Sequence, residues 1–405
     1  MRIWSLFRDA GIKTFLTKCH NYLLNKKTAL TEFWYARYYG KKIILLESQQ
    51  LLSGNSGALY EYLREKKEYR SYTFVCLLRR FDRSSFRNKR RILAFQVDAR
   101  DPKKRWLSAH ALIAFYDDVP IRPGNNQALT IYLTHGCPAL KSVKGIINVP
   151  EYVDYAICTS DNMIPLMSQQ FSFPQEKFVV CGLPRNDVLF GAKKDISALV
   201  SLKETDKVIL WTPTFRKVIN GIRNDSMKPQ PFDVPLLETW QDVQKLDTFL
   251  AENHLIVLIK PHPYQDVDRL KQLSGLNRIH ILYADQIVKH GITVNDLFPH
   301  TDALISDYSS IAFDYLLIDR PVAYVMDDVE DYKLGLVSDY ESLTPGPKLK
   351  TLDDFFEFLK QIARGKDEFA AERSKVRDYV HSNPRGGYCE RIEELFLRNI
   401  QERKT

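Results

Sequence analysis

The chain of 405 residues has no long apolar run, and its cysteines are few and scattered. No segment approaches the roughly 18 to 20 consecutive apolar residues that a membrane-spanning helix needs. The N-terminal segment also lacks the apolar core and small-residue cleavage site of a signal peptide. The six cysteines are far apart and form no CxxC pair, which argues against a zinc site or a disulfide framework. We therefore expect a cytoplasmic protein in a reducing compartment.

Motifs typical of nucleic-acid-binding proteins and of metal sites are missing as well. No helix-turn-helix, zinc-finger or RNA-recognition pattern accompanies the formal net charge of +8, so we expect no nucleic-acid partner. Asp266 and Asp268 resemble the DxD motif of sugar-nucleotide enzymes, but we interpret them as the start of a surface helix. Clustered Arg and Lys residues without a carboxylate cage favour charge neutralisation without a metal. We expect no metal and no cofactor.

Along the chain, short apolar strands alternate with helical stretches, which is the pattern of parallel βαβ units. An apolar share of 44% and a length of 405 residues suit two α/β domains. The polar stretch 193–206 marks the boundary, giving domains at 41–195 and 205–365, followed by C-terminal helices at 366–405. The predicted strands are 42–46, 72–78, 92–97, 111–115, 129–134, 155–159 and 178–181 in the first set, and 207–212, 255–260, 279–283, 303–306 and 322–325 in the second.

The first 40 residues form a basic amphipathic segment. Asp9 and Glu32 are its acidic residues, whereas Lys and Arg recur among Trp4, Phe7 and other apolar residues spaced every three or four positions. Such a helix can lie on an anionic membrane surface. It can also pack on its own domain with a solvated basic face. We favour the membrane surface as a partner.

The stretch LISDYSSIAFD, from Leu304 to Asp314, is an apolar strand that runs into small polar residues and then a helix. Free backbone N–H groups and the hydroxyls of Ser309 and Ser310 at such a junction suit a phosphate. Asp314, one turn further on, can accept hydrogen bonds from a sugar or polyol. A Ser/Asp helix cap without a ligand is the alternative interpretation.

Polar residues follow several other predicted strands. His135 follows LTIYLT, Arg185 follows VVCGLP, Thr214 follows KVILWTP, and Lys260 and His262 follow LIVLI. Since ligands of open α/β sheets bind at the carboxyl ends of the strands, these residues are candidates for one site.

Together these motifs resemble the CDP-glycerol glycerophosphotransferase family, which primes and polymerises teichoic-acid-type polymers. The resemblance extends from about Ile43 to about Phe358 and rests on HGCPALK, GLPRNDVL, TPTFR, KPHP, LISDYSSIAFDYLLIDRPVAY and TPGP, in that order. It implies a GT-B-like fold of two Rossmann-like domains with the donor in the cleft between them. That agrees with the two sheets predicted from the strand pattern.

The resemblance also implies residue roles. His135 matches the proposed general base, and His262 matches a second histidine that hydrogen-bonds the pyrophosphate. Arg185 would neutralise a phosphate, and Asp314 would bind the glycerol hydroxyls. The implied substrate-binding residues are Gly136, Cys137, Pro138, Arg185, Pro213, Thr214, Lys260, Pro261, Ser309, Ser310 and Asp314.

Two departures from the family pattern concern the acceptor more than the reaction class. The family's usual HGTP is HGCP here, with Ala139 as an extra residue, and the position before PHP, often Arg, is Lys260. Lysine keeps the charge but cannot make bidentate contacts.

The expected activity is transfer of glycerol phosphate from CDP-glycerol to a lipid-linked glycan or growing polyol-phosphate polymer. The product would belong to a teichoic acid or a capsule, and CMP would be released at the inner face of the cell membrane. A primer or transition enzyme is favoured over a polymerase, because the sequence has one catalytic unit and no repeat. The alternatives are a CDP-ribitol transferase, a GT-B glycosyltransferase that uses a nucleotide sugar, and a non-catalytic membrane-binding protein.

Overall fold

The computed structural model describes residues 34–35, 37, 42–49, 54–79, 92–118, 120–121, 127–136, 140–214, 216, 226, 228, 230–262, 265 and 267–403. The basic segment 1–40 lies almost wholly outside these residues, and so do Cys137, Pro138, Ala139 and Asp266. The expected membrane contact of the basic segment therefore stays a prediction. Among the described residues, no helix is long and apolar enough to cross a membrane.

The first sheet is parallel and has the strand order β3-β2-β1-β4-β5-β6-β7. Its strands coincide with the seven predicted for the first half, with ends that differ by a few residues. Their bounds are β1 Ile43–Ser48, β2 Thr73–Leu78, β3 Ile92–Gln96, β4 Ala111–Tyr116, β5 Leu129–Tyr132, β6 Tyr155–Cys158 and β7 Phe178–Val180.

The second sheet is also parallel, with the order β10-β9-β8-β11-β12-β13. Five of its strands are the predicted ones, and β13 is an addition of two residues. The bounds are β8 Lys207–Trp211, β9 Leu255–Ile259, β10 Ile279–Ile281, β11 Ala303–Ser306, β12 Val322–Val325 and β13 Lys348–Leu349. The predicted α/β class with two parallel sheets is confirmed.

Helices cover both faces of the sheets, so the central strands are buried on both sides and read as continuous apolar runs. Every residue of β1 and β9 is buried. The α-helices are α1 Gly54–Glu65, α2 Pro102–Ala109, α3 Ile164–Phe171, α4 Trp240–Glu252, α5 Ala284–Lys289, α6 Val294–Leu297, α7 Ile311–Leu316, α8 Leu352–Ala363, α9 Ala370–Val380 and α10 Tyr388–Glu402.

The last helix returns to the first half of the molecule. Ile392 and Phe396 of α10 lie in one apolar cluster with Leu46 of β1 and Tyr60 of α1. The carboxylate of Asp187 accepts hydrogen bonds from the first backbone N–H groups of α10, at 2.9 and 2.8 Å. Helix α10 therefore packs back against the first half of the molecule.

Candidate active site between the two sheets

Both sheets reverse their strand order at one point, between β1 and β4 in the first and between β8 and β11 in the second. Loops leave in opposite directions at such a point, and the crevice between them is the usual ligand site of open α/β sheets. The predicted strand-end residues occupy these loops and their neighbours. They follow β5, β7, β8, β9 and β11.

His135 lies in a tight turn after β5. The preceding residue, Thr134, is fully buried and has a φ of 57°, a left-handed conformation that is uncommon for a residue with a side chain. The Oγ1 of Thr134 donates a hydrogen bond to the carbonyl of Gly136 at 3.1 Å, which fixes the turn. The imidazole is exposed to the cleft and has no hydrogen-bond partner among the described residues.

The surroundings of His135 keep its ring neutral at pH 7. Desolvation by the protein atoms around the ring, together with the positive charge of Arg185, lowers the pKa of His135 to about 4. A neutral imidazole can accept a proton from a hydroxyl, so this histidine is in the protonation state that a general base needs.

Gly136 brings the two halves of the candidate site into contact. A Cβ atom at this position would lie 2.6 Å from the Oγ of Ser310, which is too close unless the serine shifts, and 3.0 Å from Nη2 of Arg185, which is a tight contact. Glycine therefore allows the loop after β5 to lie directly against the loop after β11. The general-base candidate and the serine loop share one cleft.

Arg185 bridges the same two loops. Its Nε and Nη2 lie 2.9 and 2.7 Å from Oδ2 of Asp314, and its Nη1 donates to the carbonyl of His135 at 2.6 Å. The amide of Asn186 donates to Oδ1 of Asp314 at 2.9 Å. Asp314 is 1% exposed, and both of its oxygens are engaged. The sequence pointed to a ligand contact for Asp314, whereas here the carboxylate joins the two halves; contact with a polyol stays a prediction.

The loop after β8 is held by a buried ion network. Asp307 accepts from the backbone N–H of Thr214 at 2.8 Å and also binds the Thr214 hydroxyl. Arg216 contacts Asp307 at 3.0 Å and Asp328 at 2.6 Å, and it is 4% exposed. Although burial opposes ionisation, the hydrogen bonds from Arg216 hold the pKa of Asp328 below its ordinary value. Thr214 and the buried Pro213 are thus fixed in place by groups that are themselves paired.

The surroundings of Lys260 differ from those of Arg216, which is paired with two carboxylates. It follows β9, is half-buried, and its ammonium has no hydrogen bond or ion pair with any described residue. Burial lowers the pKa of Lys260 to about 8, so the group is still mainly charged at pH 7. A partly buried cation that lacks an anionic neighbour fits a site for an anionic ligand.

His262 and Pro261 complete this loop. Pro261 is buried, and His262 is half-buried. The backbone N–H of His262 donates to Oε1 of Gln265 at 3.4 Å, and the N–H of Gln265 donates to the carbonyl of His262 at 2.9 Å. These two bonds fix the backbone on which the imidazole stands.

The two serines precede the short helix α7. Ser309 and Ser310 are half-buried, and Oγ of Ser309 accepts a hydrogen bond from the N–H of Ile311 at 3.4 Å. In the part of the chain that the structure describes, the hydroxyl of Ser310 has no hydrogen-bond partner. It lies beside Gly136 and remains available to a ligand oxygen.

Three further buried polar residues lie at this edge, and one of them, Glu47, belongs to the Glu47-Ser48 strand end that resembles the family's first strand end. Glu47 is fully buried, accepts from Arg79 at 3.2 Å and from the N–H of Asp118 at 3.0 Å, and burial raises its pKa to about 7. Asn55 and Asn186 are buried amides that bind the loops of His135 and Asp314. Asn55 and Asn186 were not singled out from the sequence, because Asn55 stands at a helix start, where an asparagine is an ordinary cap, and Asn186 stands in a turn several residues after β7. Among the described residues, no group of three His, Cys, Asp or Glu side chains is placed to hold a metal ion.

Curated relatives are teichoic acid enzymes. The chain is 28% identical over 342 residues to the teichoic acid ribitol-phosphate polymerase TarK of Staphylococcus aureus, covering 77% of this chain and 60% of that protein. It is 24% identical over 400 residues to a teichoic acid glycerol-phosphate transferase of the same species, covering 93% and 95%. The teichoic acid ribitol-phosphate primase of Bacillus spizizenii is 23% identical over 363 residues, with 83% and 86% covered. The chain spans between about a third and three fifths of the length of the first four such relatives.

Solved structures support the same fold. The wall teichoic acid polymerase TagF soaked with CDPG superposes with a TM-score of 0.67 at 19% identity, covering 97% of this chain and 98% of that one. A putative UDP-N-acetylglucosamine 2-epimerase from Listeria monocytogenes has a TM-score of 0.53 at 10% identity, with 89% and 97% covered. These likenesses establish a GT-B-like arrangement of the two sheets. The model of one family, described as CDP-glycerol:poly(glycerophosphate) glycerophosphotransferase, matches residues 30–397, and the chain therefore belongs to that family.

Proposed function

We propose that this protein transfers glycerol phosphate from CDP-glycerol to a hydroxyl of a lipid-linked glycan or a growing polyol-phosphate polymer, releasing CMP. The observation that carries the proposal is the contact between the loop of His135 and the loop of Ser310 across the cleft. It brings a neutral imidazole beside hydroxyl and backbone groups suited to a phosphate. Membership of the family supports a transfer of polyol phosphate as the reaction in which we propose that these residues act.

The proposed step is one displacement at phosphorus. An acceptor hydroxyl loses its proton to His135 while its oxygen forms a bond to the phosphorus that bears the glycerol. The bond between that phosphorus and the bridging oxygen breaks, and CMP leaves with the electron pair. Lys260 and His262 neutralise the charge that moves onto the leaving phosphate, which is the type of stabilisation that lowers such barriers most.

CDP-ribitol is the second candidate donor. The first three curated relatives are named as ribitol-phosphate polymerases, at 27% to 28% identity, and the glycerol-phosphate transferase is 24% identical. The glycerol assignment rests on the family motifs. Both donors present the same pyrophosphate to the cleft and differ only in the length of the polyol.

A donor competition assay tests the proposal. Purified protein is given a lipid-linked glycan acceptor and equal concentrations of CDP-glycerol, CDP-ribitol and UDP-glucose, and the nucleotide and lipid products are measured by mass spectrometry. Release of CMP with a glycerol-phosphate increment on the acceptor supports the proposal, and a ribitol-phosphate increment supports the second candidate. Release of UDP with a hexose increment would contradict both.

The same assay reports how many units are added. A single increment supports the primer or transition mode that we propose, and a ladder of increments shows a polymerase. We further propose a cytoplasmic location with the basic segment 1–40 on an anionic membrane. Vesicles of phosphatidylglycerol should bind the wild-type chain but not a variant in which the Lys and Arg residues of segment 1–40 are changed to Gln. Equal binding of the two proteins would contradict this.

A further inference from the structure

Asn55 lies where three loops of the first sheet meet. It is the second residue of α1 and is 1% exposed. Its Nδ2 donates hydrogen bonds to the carbonyls of Leu133 at 3.0 Å and Thr134 at 2.9 Å. Its Oδ1 accepts from the backbone N–H of Arg185 at 3.2 Å. One amide thus joins the start of α1, the loop of His135 and the loop of Arg185.

The two carbonyls that Asn55 binds lie on either side of the Cα of Thr134. They therefore belong to the two peptide groups whose orientation the backbone angles of Thr134 set. Thr134 holds the left-handed φ of 57°, a conformation that is unfavourable for a residue with a side chain and persists only where neighbours enforce it. The Asn55 amide enforces it, and the resulting turn directs the next residue, His135.

The hydrogen bonds continue along the same backbone. Arg185 donates from Nη1 to the carbonyl of His135, and Thr134 donates from Oγ1 to the carbonyl of Gly136. Four successive carbonyls, 133 to 136, therefore each have a donor. Asn55 supplies the donors for carbonyls 133 and 134. It also binds the backbone of Arg185, which supplies the donor for carbonyl 135.

Asn55 is itself rigidly held by its two neighbours. The N–H of Ser56 donates to Oδ1 of Asp117 at 2.8 Å, and the Ser56 hydroxyl donates to the carbonyl of Glu47 at 2.9 Å. Gly54 has a φ of 66°, and a Cβ there would lie 2.9 Å from Oδ2 of Asp117. The ends of β1 and β4 therefore fix the amide that holds the loops after β5 and β7.

We propose that Asn55 is a positioning residue that orients His135 and Arg185 together for the transfer reaction. This inference rests on the proposed function, since it assigns a role within that reaction. Asn55 needs no contact with substrate, because both of its amide hydrogens already bind the His135 loop. A buried amide with a purely structural role would support folding but would leave the turnover number and the titration of His135 unchanged.

The test uses Asn55→Ala and the isosteric Asn55→Asp, whose carboxylate cannot donate to the two carbonyls. Asn399→Ala is the matched control, because Asn399 is a buried amide whose Nδ2 donates to the carbonyl of Leu395 at 2.8 Å and whose Oδ1 accepts from Tyr155 at 2.9 Å, away from the cleft. For each folded variant, kcat and KM for CDP-glycerol are measured together with the thermal midpoint. The His135 Cε1–H resonance, assigned by its loss in His135→Ala, is titrated by NMR.

Both Asn55 variants should lower kcat by about 10²-fold, since small misplacements of reacting groups cost this much. In Asn55→Ala the His135 midpoint should also move up toward 6.5, because a turn that is no longer fixed releases the ring from the desolvated position that lowers its pKa most. Asn399→Ala should lower the thermal midpoint and leave kcat and the titration as in the wild type. Unchanged kcat and an unchanged His135 midpoint in both Asn55 variants would overturn the inference. A wild-type protein that releases no CMP would instead contradict the proposed function, and the NMR titration would still decide whether Asn55 orients the two loops.

Discussion

Arg216 and Lys260 follow neighbouring strands of the second sheet, β8 and β9, yet their surroundings are opposite. The guanidinium of Arg216 is buried against two carboxylates, Asp307 and Asp328, and lies over the rings of Tyr308 and Tyr332 at 5.0 and 5.4 Å. The ammonium of Lys260 is half-buried and has neither ion pair nor hydrogen bond within the described residues. Two cations at one edge of one sheet thus differ in whether the described residues supply their counter-charge.

This difference distinguishes side chains that hold the cleft together from side chains that could contact a ligand in the cleft. Removing one partner of a buried ion pair leaves an uncompensated charge, so replacing Arg216 would lower the stability of the fold. A partly buried cation without a counter-charge is unfavourable for folding. Such a cation suits a site at which a ligand supplies the negative charge. The same contrast holds between Asp314, whose two oxygens are both engaged, and His135, whose ring is open to the cleft. We call Arg216, Asp307, Asp328 and Asp314 the engaged groups, and His135, Lys260 and Ser310 the open groups.

Removing the open group His135 should have the largest effect on activity. His135→Ala is expected to lower kcat on the order of 10² to 10⁴-fold, because the acceptor hydroxyl loses its base. The free energy of unfolding should change little, since the ring makes no hydrogen bond to a described residue. CMP release and urea unfolding measure the two quantities. The control is His290→Ala, since His290 is an exposed histidine directly after α5. A loss no larger than that of the control would remove His135 from the mechanism.

Removing the engaged group Arg216 should have the largest effect on stability. Arg216→Met leaves Asp307 and Asp328 buried without a counter-charge, which is expected to cost about 3–5 kcal/mol of unfolding free energy. Arg64→Met is the matched control, because Arg64 is exposed and pairs with Glu61 at the surface, and such surface pairs contribute about 0–1 kcal/mol. Urea denaturation measures both variants. Equal stabilities of the two variants would show that the Arg216 network does not hold the loop after β8.

Lys260→Met should have the opposite effect to Arg216→Met, a loss of activity without a loss of stability. The change removes a charge that is unpaired within the described structure, so the unfolding free energy should stay the same or rise. The value of kcat/KM for CDP-glycerol should fall about 10- to 100-fold, the size expected for one charged hydrogen bond to a phosphate. Lys260→Arg retains the charge and is the control that should keep most of the activity. Full activity in Lys260→Met would show that no anionic part of the donor reaches this side chain.

A double-mutant cycle on Arg185 and Asp314 should show how an engaged pair acts. If Asp314 acts by orienting Arg185, the double variant Arg185→Ala/Asp314→Ala will lose little more kcat/KM than Arg185→Ala alone. The expected coupling is about 0.5–3 kcal/mol, as found for residues in contact. Additive losses would mean that Asp314 contacts the donor independently, as the sequence first suggested.

The pH profile should show the smallest effect and a definite direction. His135 must be neutral to accept a proton, and its pKa is lowered by desolvation and by Arg185 to about 4, from an ordinary 6.5. The value of kcat/KM should therefore stay level as the pH falls from 7 to about 6, and decline only as it approaches the lowered pKa. A decline centred at pH 6.5 or above would show that the cleft does not perturb this histidine.

The sheets could be predicted from the sequence because parallel strands that are buried on both faces leave an unmistakable apolar run. All of the twelve predicted strands occur. The additional strand, β13, has two residues and therefore no periodicity to detect. The polar strand ends could be found for the same reason, since Lys260 and Ser309 directly follow such runs.

The partners of the site residues could not be predicted, because they come from distant parts of the chain. Asp314 and Arg185 lie 129 positions apart and follow strands of different sheets, so an isolated view of Asp314 made it a ligand contact. Asn55 and Leu133 lie 78 positions apart, and an asparagine at a helix start is an ordinary cap in sequence. Only the tertiary structure shows which polar groups are engaged and which are open.

The central claim, that the open groups of the cleft hold the activated donor, is tested most directly by calorimetric titration of CDP-glycerol in the absence of turnover. His135→Ala provides a protein that lacks the base, and His135→Ala/Lys260→Met also lacks the open cation. The account predicts that His135→Ala binds CDP-glycerol with one site per chain, and that the second variant binds at least about tenfold more weakly. Equal affinity of the two proteins, or no binding to either while both remain folded, would contradict it.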